Sequence, residues 1–447
     1  MRRVAVIGAG ISGLAAARAL SADCAVTLYE ADRRCGGHAH TVDLTHDGVT
    51  HGVDTGFLVL NERTYPHLLS LFAELGIELA RSDMSFSVQV PDAGLEWSGS
   101  NLGSVFAQRR NLVRPAFLRM LREVLRFNRL ATALAEQHID SAVAGLETIG
   151  DFLHRERFSA GFCDWYLLPM LGSIWSCPTD QMLRFPLATM LRFCHNHGLL
   201  QIADRPQWYT VPGGSRRYVE KIVAGLDDVR TGTPVRQVRR AELGDPRGAG
   251  VLVSTDAGSA RYDDVVIACH SDQSLALLAD PSAAERAVLG AVRYQSNRAV
   301  LHTDRSVLPI RRRAWAAWNY EGAERDARER MPTVCLHYLI NRLQPLPFST
   351  PVIVSLNPLS MPRADTVHGV FDYAHPVFDA AALLAQQRLP SLQGIDHTWY
   401  CGAWTRYGFH EDGLVSGLAV AASIAAQDRG VEMQAGPMPV RRLARAA

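Results

Sequence analysis

The sequence predicts an α/β fold, because strand, glycine-turn and helix signals occur together near both ends of the chain. At the N-terminus, an apolar run at residues 4–7 leads into the glycine turn 8–13, an alanine-rich helical stretch and a second apolar run that ends at Glu30. Near the C-terminus, residues 398–404 form a short β-rich run with a glycine turn, and an alanine-rich helical segment follows at 414–426. Alternating strands and helices of this kind favour a parallel sheet covered by helices.

Composition and charge narrow the class of protein. A chain of 447 residues with 47% hydrophobic content can bury a sizeable core, which excludes disorder as the main state. The formal net charge of +1 gives no global field that would attract nucleic acid. Eight dispersed cysteines without a C-x-x-C pair favour reduced thiols in the cytoplasm. No run reaches the roughly 18 apolar residues of a spanning helix, and glycines interrupt the N-terminal apolar stretch, which argues against a signal peptide.

The glycines of the first turn match the pattern of a dinucleotide site. Gly8 permits a tight turn, Gly10 lets the backbone approach a pyrophosphate, and Gly13 lets the helix pack closely on the strand. Glu30 follows Gly13 by 17 residues, at the end of the second strand, where a carboxylate can accept both ribose hydroxyls. A glycine turn that only packs a helix is the alternative, and the full strand, helix and acid context favours the dinucleotide.

Three segments resemble the amine-oxidase-type flavoproteins, which include monoamine and polyamine oxidases, protoporphyrinogen oxidase and phytoene desaturases. Residues 30–38 (EADRRCGGH) resemble the E-A-x-x-R-x-G-G segment of that superfamily, and residues 53–57 resemble the following D-x-G segment beside the flavin. Residues 398–416 resemble the closing motif, in which a strand end contacts phosphate and a later helix start contacts the isoalloxazine. The resemblance implies FAD as the cofactor, and it implies that the backbone of Val235 lies against the adenine.

The same resemblance implies an architecture: a Rossmann-type FAD-binding domain with an inserted, discontinuous substrate domain of mixed sheet plus helices. We expect the FAD-binding domain at 1–67, 206–270 and 395–430, the substrate domain at 68–205 and 271–394, and a disordered tail at 431–447. The residues expected at FAD are Gly8, Gly10, Ile11, Ser12, Gly13, Glu30, Ala31, Arg34, Gly36, Gly37, His38, Thr55, Gly56, Phe57, Val235, Gly402, Ala403, Asp412, Leu414 and Ser416.

The middle of the chain, residues 68–205, is predicted to be mostly helical. Arginines recur among apolar residues at helical spacing in 111–134, which predicts an amphipathic helix. A solvated face of the substrate domain is the favoured interpretation, and contact with anionic lipid at the inner membrane is the alternative. His195 and His197 have H-x-H spacing without further ligands, so we expect structural histidines and no metal site.

The resemblance is closest to a bacterial branch of FAD-binding amine-oxidoreductase-like proteins. It covers residues 3 to about 427 and is carried by 64–76, 107–117, 192–200, 263–278 and 408–421. Members of this branch are typically encoded beside cyclopropane-fatty-acyl-phospholipid synthases, and a similar domain precedes the synthase in plant enzymes. The resemblance therefore implies chemistry on lipid acyl chains and a lipid-modifying methyltransferase as a partner.

One residue type argues against amine oxidation. True amine oxidases of the superfamily carry a lysine that holds a water at flavin N5, on a strand after the substrate-domain crossover. The comparable stretch here, residues 294–302, has no lysine, and Lys221 is the only lysine in the chain. Arginine is no substitute, because it does not lose its proton and its fork holds ligands differently.

The favoured function is hydride transfer between flavin N5 and a lipidic substrate, an acyl chain or a polyene, by a desaturase or isomerase. A flavin amine oxidase and a non-catalytic FAD-binding partner of a methyltransferase stay open as alternatives. His410 and Glu411 are the candidate acid–base residues, because their segment is expected to pass close to the flavin, and packing or capping roles are the alternative. Ser416 or Asp412 is expected to cap the last helix.

Overall fold

The computed structural model describes residues 1–137, 147–201, 205–241, 249–322 and 334–428, so the tail predicted at 431–447 lies outside the described residues. The chain forms two compact units. The first comprises Met1–Gly37, Val219–Val292 and the chain from Leu384 onward, and the second comprises His38–Tyr218 and Arg293–Leu383. The predicted domains were defined by what they bind, the cofactor or the substrate, whereas these units are defined by compactness. The predicted domain bounds therefore stay a prediction.

A five-stranded parallel sheet forms the centre of the first unit. Its strands, in spatial order, are Asp228–Arg230, Cys24–Tyr29, Arg2–Ile7, Asp264–Ile267 and Thr398–Tyr400. The inner strands are buried on both faces, which explains why they are near-continuous apolar runs in the sequence. The helices Ile11–Leu20 and His410–Asp428 pack against each other. The predicted α/β class with a Rossmann-type sheet is confirmed.

The remaining elements of the first unit surround this sheet. A three-stranded antiparallel sheet is formed by Val235–Arg240, Val251–Thr255 and Gly258–Tyr262. Its described helices include Ser271–Leu277 and Ala283–Leu289. Two of the four sequence boundaries between the units fall within helices, Arg216–Val223 and Ala380–Arg388.

The second unit is built on a seven-stranded mixed sheet. Its strands, in spatial order, are Val367–Val377, Arg293–His302, Ile353–Leu356, Cys335–Leu339, Trp318–Glu321, Phe86–Val90 and Leu95–Ser98. A hairpin pairs Thr41–His46 with Val49–Asp54, and a small sheet joins Leu60–Asn61, Trp208–Thr210 and Ala80–Ser82. The predicted mixed sheet with helices is confirmed.

The middle of the chain is helical, but less completely than predicted. The stretch also contains three short strands that the helical expectation did not include. Ala80–Ser82 pairs with Trp208–Thr210 and Phe86–Val90 pairs with Trp318–Glu321, partners distant in sequence that local patterns do not show, whereas Leu95–Ser98 forms a hairpin with Phe86–Val90. The α-helices of this unit include, among the described residues, Pro66–Leu75, Leu102–Val105, Pro115–Gln137, Ile149–Arg155, Ala160–Phe162, Leu168–Trp175, Thr179–Leu183, Leu187–Asn196 and Ile340–Leu343. Within the described ranges, we find no helix long and apolar enough to cross a membrane.

Candidate cofactor site

The first predicted helix begins directly after Gly10 and leaves room for an anion at its N-terminus. Within the described part of the chain, no side chain caps the N-terminus of Ile11–Leu20. A Cβ atom added to Gly10 would meet no protein atom within 4 Å, so the space beside the turn is open. The unpaired N–H groups and the positive end of the helix dipole favour a phosphate in such a place.

Gly13 is required for a different reason. A Cβ atom at this position would lie 1.8 Å from the carbonyl oxygen of Gly8, so any side chain would push the helix off the strand end. Gly8 itself has a φ of +102°, a conformation that favours glycine. The two glycines shape the turn, while Gly10 faces the open space.

The Glu30 carboxylate is held at the end of the second strand. One of its oxygens accepts a hydrogen bond from the backbone N–H of Ala9 at 2.7 Å, and the other accepts from the N–H of Asp32 at 2.9 Å. The N–H of Thr233 donates to the backbone carbonyl of Glu30 at 2.8 Å, which brings the strand that begins at Val235 close to this strand end. The acid is therefore fixed in the position where a ribose hydroxyl pair would be bound.

The second glycine pair packs directly on the first turn. The N–H of Gly36 donates to the carbonyl of Ala9 at 2.7 Å, and a Cβ atom on Gly37 would lie 3.3 Å from the Cα atom of Gly10. The Arg34 guanidinium donates to the carbonyl of Gly37 at 2.9 Å. Ala31, by contrast, is exposed. The structure thus brings the two glycine segments together, as a wrapped diphosphate needs.

The C-terminal segment joins the same region of the first unit. The hydroxyl of Ser416 accepts the N–H of Gly402 at 2.9 Å and donates to the carbonyl of Gly413 at 2.8 Å. A Cβ atom on Gly413 would lie 2.8 Å from Ile11 Cγ2 and 2.9 Å from Ser12 Oγ. The helix starts at the two ends of the chain are therefore in close contact. Ala403 and Leu414 lie in the same segment, and Leu414 is buried.

The predicted capping of the last helix is wrong in position. The helix begins at His410 rather than near Leu414, so Asp412 lies in its first turn and Ser416 lies in its interior. The Asp412 carboxylate accepts the N–H of Phe409 at 3.0 Å, which satisfies a donor just before the helix. The glycines at 408 and 413 weakened the helical pattern in the sequence, which explains the misplaced start.

The electrostatics of this helix start are set by burial. Burial lowers the pKa of His410 to about 3, so its imidazole is neutral at neutral pH. Burial raises the pKa of Asp412 to about 7, although the Phe409 N–H and the Arg406 guanidinium oppose the shift. Glu411 is buried in the same turn. The role of His410 and Glu411 in acid–base chemistry stays a prediction.

The other predicted cofactor residues lie in the second unit. The N–H of Phe57 donates to the carbonyl of His38 at 2.7 Å, and the N–H of Thr55 donates to the carbonyl of His40 at 2.9 Å. A Cβ atom on Gly56 would lie 2.2 Å from the carbonyl oxygen of His38. The two predicted segments around 38 and 55–57 therefore form one compact substructure.

Asp54, next to this substructure in sequence, is buried and holds neighbouring segments together by hydrogen bonds. Its buried carboxylate accepts hydrogen bonds from the Thr41 hydroxyl at 2.5 Å, the Ser215 N–H at 2.9 Å and the Gln344 side-chain amide at 2.8 Å. Gln344 in turn accepts the backbone N–H of Asp54 at 3.0 Å. Burial still raises the pKa of Asp54 to about 6, because the desolvation cost outweighs these hydrogen bonds.

Sequence reasoning missed Tyr373. Its hydroxyl lies 2.7 Å from Thr55 Oγ1 and 2.9 Å from His40 Nδ1, and its ring lies 5.1 Å from the ring of His38. The ring of His375, the next residue on the same strand face, has its centroid 5.2 Å from that of His38. The alternation of aromatic and histidine residues over 371–375 is the signal that marks one face of a strand.

The two histidines of the H-x-H pair lie at the end of helix Leu187–Asn196, with His195 in its last turn and His197 directly after it. The His197 ring stacks on Phe193 with 3.9 Å between ring centroids, and its Nδ1 lies 3.0 Å from the carbonyl oxygen of Phe193. Burial lowers the pKa of His197 to about 4.

Comparisons with known proteins agree with this geometry. The family model described as flavin containing amine oxidoreductase matches residues 11–327. Carotenoid phi-ring synthase from Streptomyces griseus is 31% identical over 287 residues, which cover 60% of this chain and 52% of that protein. The curated relatives are thus matched over only 52% to 59% of their length.

Solved structures show the fold alone. Cyclohexylamine oxidase from Brevibacterium oxydans aligns with a TM-score of 0.66 at 17% identity, over 96% of this chain and 99% of that one. A fatty acid isomerase from P. acnes aligns with a TM-score of 0.64 at 15% identity, over 94% of this chain and 98% of that one.

The open helix start, the fixed Glu30 carboxylate and the paired glycine segments fit the pyrophosphate and ribose of FAD. With the family match, the predicted superfamily and FAD cofactor are confirmed. The chain belongs to the flavin containing amine oxidoreductase family, with FAD as its cofactor.

Proposed function

We propose that this protein transfers hydride between flavin N5 and a lipidic substrate, an acyl chain or a polyene, as an FAD-dependent desaturase or isomerase. The proposal rests on one observation above all: the second unit has an exposed surface in which apolar and arginine side chains alternate. A protein that takes its substrate from a bilayer needs such a surface, whereas a protein that takes a small soluble amine does not.

The arginine–apolar surface comes from two segments that are anchored on one buried acid. Glu96 accepts the N–H of Ile310 at 2.8 Å and the guanidinium of Arg311 at 3.1 Å, and its own N–H donates to Gln108 at 3.1 Å. Leu102, Val113 and Ile310 are 78%, 80% and 88% exposed. The exposed members of the surface are Leu102, Arg109, Arg110, Leu112, Val113, Ile310, Arg311, Arg312 and Arg313.

This surface overlaps the start of the segment 111–134 that the sequence suggested for lipid contact, because it includes Leu112 and Val113. Some arginines of that segment are engaged within the unit: Arg126 of helix Pro115–Gln137 pairs with Glu156 at 2.8 Å, and Arg114, just before the helix, lies 4.7 Å above the Trp165 ring. The exposed apolar side chains of the surface lie outside that helix: Leu112 and Val113 precede it, and Ile310 comes from the later segment. Side chains such as Val113 can enter the acyl boundary while the neighbouring arginines meet anionic headgroups, each contributing about 1 kcal/mol.

Amine oxidation is disfavoured by the residues of the second unit. Strand Arg293–His302 has no lysine, and Asn297 on this strand is bonded to His375 at 2.8 Å and to Asn357 at 2.7 Å. Lys221 is exposed on the helix Arg216–Val223 instead. Two of the similar proteins, by their names, act on a carotenoid and a fatty acid, which supports an apolar chain as the substrate.

When bound, FAD supplies the hydride acceptor or donor, and the chain supplies binding and proton positions. The N-terminus of Ile11–Leu20 would hold the pyrophosphate, and the Glu30 carboxylate would hold the ribose. The hydroxyl of Tyr373, between Thr55 and His40, can hold or release a proton when a substrate C–H bond is broken or formed.

Anaerobic mixing of the oxidised holoprotein with candidate substrates tests the proposal. We expect phospholipid vesicles with unsaturated acyl chains to bleach the flavin or to yield an isomerised acyl chain by mass spectrometry, and putrescine to do neither. Bleaching by amines alone would overturn the proposal in favour of an amine oxidase. A flavin that stays oxidised with unchanged acyl chains would favour the non-catalytic partner of a methyltransferase.

The surface is tested separately by sedimentation with vesicles. We expect the holoprotein to bind anionic vesicles and to dissociate as salt rises, because headgroup attraction is screened. Leu112→Ser combined with Val113→Ser should reduce binding at least tenfold, whereas Ile395→Ser, at an exposed apolar residue of the other unit, should not. Equal binding by all three proteins would remove this support for a lipid substrate.

A further inference from the structure

Part of one face of the seven-stranded sheet is polar although it is buried, next to an apolar cluster that includes Leu339 and Ile353. Side chains alternate between the two faces of a strand, and on the other face Leu301, Tyr320, Leu336 and Val354 belong to the hydrophobic core. Their neighbours in sequence project to the polar face: His302, Glu321, Cys335, His337 and Ser355. Strand pairing sets Glu321 opposite Cys335 and His337 opposite Ser355. The flavin chemistry described above uses none of these side chains.

Three of these side chains form a tight triangle of donor atoms. His337 Nε2 lies 2.9 Å from Glu321 Oε2 and 3.5 Å from Cys335 Sγ, and the sulfur lies 3.9 Å from the same carboxylate oxygen. Within the described ranges, these are the three metal-ligand-type side chains whose donor atoms all lie within 4.8 Å of one another. With bond lengths of about 2.0–2.3 Å, ligand atoms of a tetrahedral zinc site are about 3.3–3.6 Å apart. The Cys335–His337 edge already has this length, and the Glu321 carboxylate needs only a small shift.

The histidine is oriented by a second shell of hydrogen bonds. The N–H of Asp304 donates to His302 Nδ1 at 3.1 Å, so the proton of that ring is on Nε2, which donates to Ser355 Oγ at 2.7 Å. Ser355 Oγ lies 2.6 Å from His337 Nδ1 on its other side. A hydroxyl oxygen can accept two hydrogen bonds, so it can also accept an N–H from His337. The Nε2 lone pair of His337 is then directed at Cys335 and Glu321, as in metal-bound histidines.

Charge balance favours a divalent ion in this place. His337 and Cys335 are fully buried, and an isolated buried charge is costly. A doubly charged ion bound by one thiolate, one carboxylate and one neutral imidazole makes a site with no net charge. Sulfur and imidazole ligands select zinc over magnesium or calcium, which prefer oxygen ligands.

We propose that Glu321, Cys335 and His337 bind one zinc ion, which links strand Trp318–Glu321 to strand Cys335–Leu339. On binding, the Cys335 thiol releases its proton to solvent, and the His337 proton moves from Nε2 to Nδ1, where Ser355 accepts it. The side chain of Glu321 is 21% exposed, so the fourth coordination position is open to water on that side. Three protein ligands and an open position are typical of exchangeable or catalytic zinc sites rather than closed structural ones.

The sequence did not reveal this site, because its ligands do not follow a metal-binding spacing. Cys335 and His337 form a C-x-H pair, and Glu321 precedes them by 14 residues. Only the antiparallel pairing of the two strands brings the carboxylate to the pair. The expectation of no metal site considered His195 and His197, which lie on a helix elsewhere in this unit.

Zinc binding to the purified holoprotein tests the proposal. After incubation with zinc chloride and dialysis, elemental analysis should find one zinc per chain in the wild type, and none in Cys335→Ser or His337→Ala. Cys194→Ser is the matched control, because Cys194 is equally buried but contacts Met190 Sδ at 3.7 Å, and it should retain the ion. Flavin content and circular dichroism of each variant report its folding.

Two further measurements separate a ligand role from a structural one. Cobalt substitution in the wild type should give a thiolate-to-cobalt charge-transfer band, measured as a difference spectrum against the metal-free holoprotein, and Glu321→Gln should weaken it. Ser355→Ala should lower zinc affinity about 10–100-fold without loss of flavin. Wild-type protein that retains no zinc, or zinc retained by Cys335→Ser, would overturn the proposal. These outcomes do not depend on the substrate of the flavin.

Discussion

The two units differ in how their functional residues are brought together. In the first unit, Gly8, Gly10 and Gly13 lie within one turn, and Glu30 ends the next strand, so the candidate cofactor cradle is assembled mostly from one short stretch of chain. In the second unit, Tyr373 meets Thr55, and Gln344 meets Asp54, across about 300 residues of sequence. The comparison shows that the residues expected to bind the cofactor come from local motifs, whereas the contacts among polar side chains of the second unit depend on segments distant in sequence.

The strongest test of the local cradle compares two glycines of the same turn. Gly13→Ala should lose FAD and destabilise the apoprotein, because the new methyl group would lie 1.8 Å from the Gly8 carbonyl oxygen. Gly10→Ala should lower FAD content at least tenfold while the melting temperature of the apoprotein stays near wild type, because no protein atom lies within 4 Å of that methyl group. Flavin absorbance and thermal melts measure both effects.

Gly225→Ala is the control, since its Cβ atom would have an ordinary contact of 3.5 Å with the Ile222 carbonyl oxygen. It should retain FAD and stability. If Gly10→Ala binds FAD as tightly as this control, the open space beside the turn is not the phosphate position.

The long-range network of the second unit is tested at Asp54. Asp54→Asn replaces an acceptor by a donor that faces the donors of Ser215, Thr41 or Gln344, so at least one buried group loses its partner. We expect the free energy of unfolding in urea to fall by about 1–3 kcal/mol. Asp372→Asn, at an exposed residue of the same unit, should leave it unchanged. Equal stability of both variants would contradict a structural role for this network.

Asp412 tests the electrostatics of the last helix start. Its folded pKa of about 7 is above the usual value near 3.8, so the native state binds more protons than the unfolded state between about pH 4 and pH 7. The contribution of this group to stability is therefore highest in acid, falls as pH rises through this window, and stays low above it. Asp412→Asn should remove that decline from urea-unfolding profiles of the apoprotein. If the profiles of the wild type and the variant run parallel, the pKa of the Asp412 carboxyl is not raised in the folded protein.

The smallest expected effect is that of Tyr373→Phe. The ring keeps its packing on His38, while the hydrogen bonds to Thr55 and His40 are lost. We expect a loss of about 1 kcal/mol in stability with normal FAD content. If the proposed function is correct, substrate-dependent flavin reduction should fall further than stability does, as rapid mixing would show. Unchanged reduction would remove Tyr373 from the proton positions.

Local sequence determined the Rossmann-type strands and the first helix, because each depends on neighbours within one strand–turn–helix unit, whereas the second glycine pair was expected at the cofactor only through the family resemblance. The same patterns misplaced the start of the last helix, because Gly408 and Gly413 lower the helix propensity of a turn that tertiary packing stabilises. They also overlooked strand Phe86–Val90, which lies between its hairpin neighbour Leu95–Ser98 and strand Trp318–Glu321, more than 200 residues away.

What the sequence determined by itself was the chemistry of the cofactor: glycines where the backbone must approach a phosphate, an acid at a strand end, and no lysine in the stretch expected near flavin N5. Tertiary structure alone decided which side chains share a face: Tyr373 with Thr55, the arginines with Val113 and Ile310, and Glu321 with Cys335 and His337. The physical reason is that a turn is specified by the conformations of its own residues, whereas strand register is set by the burial of an entire sheet.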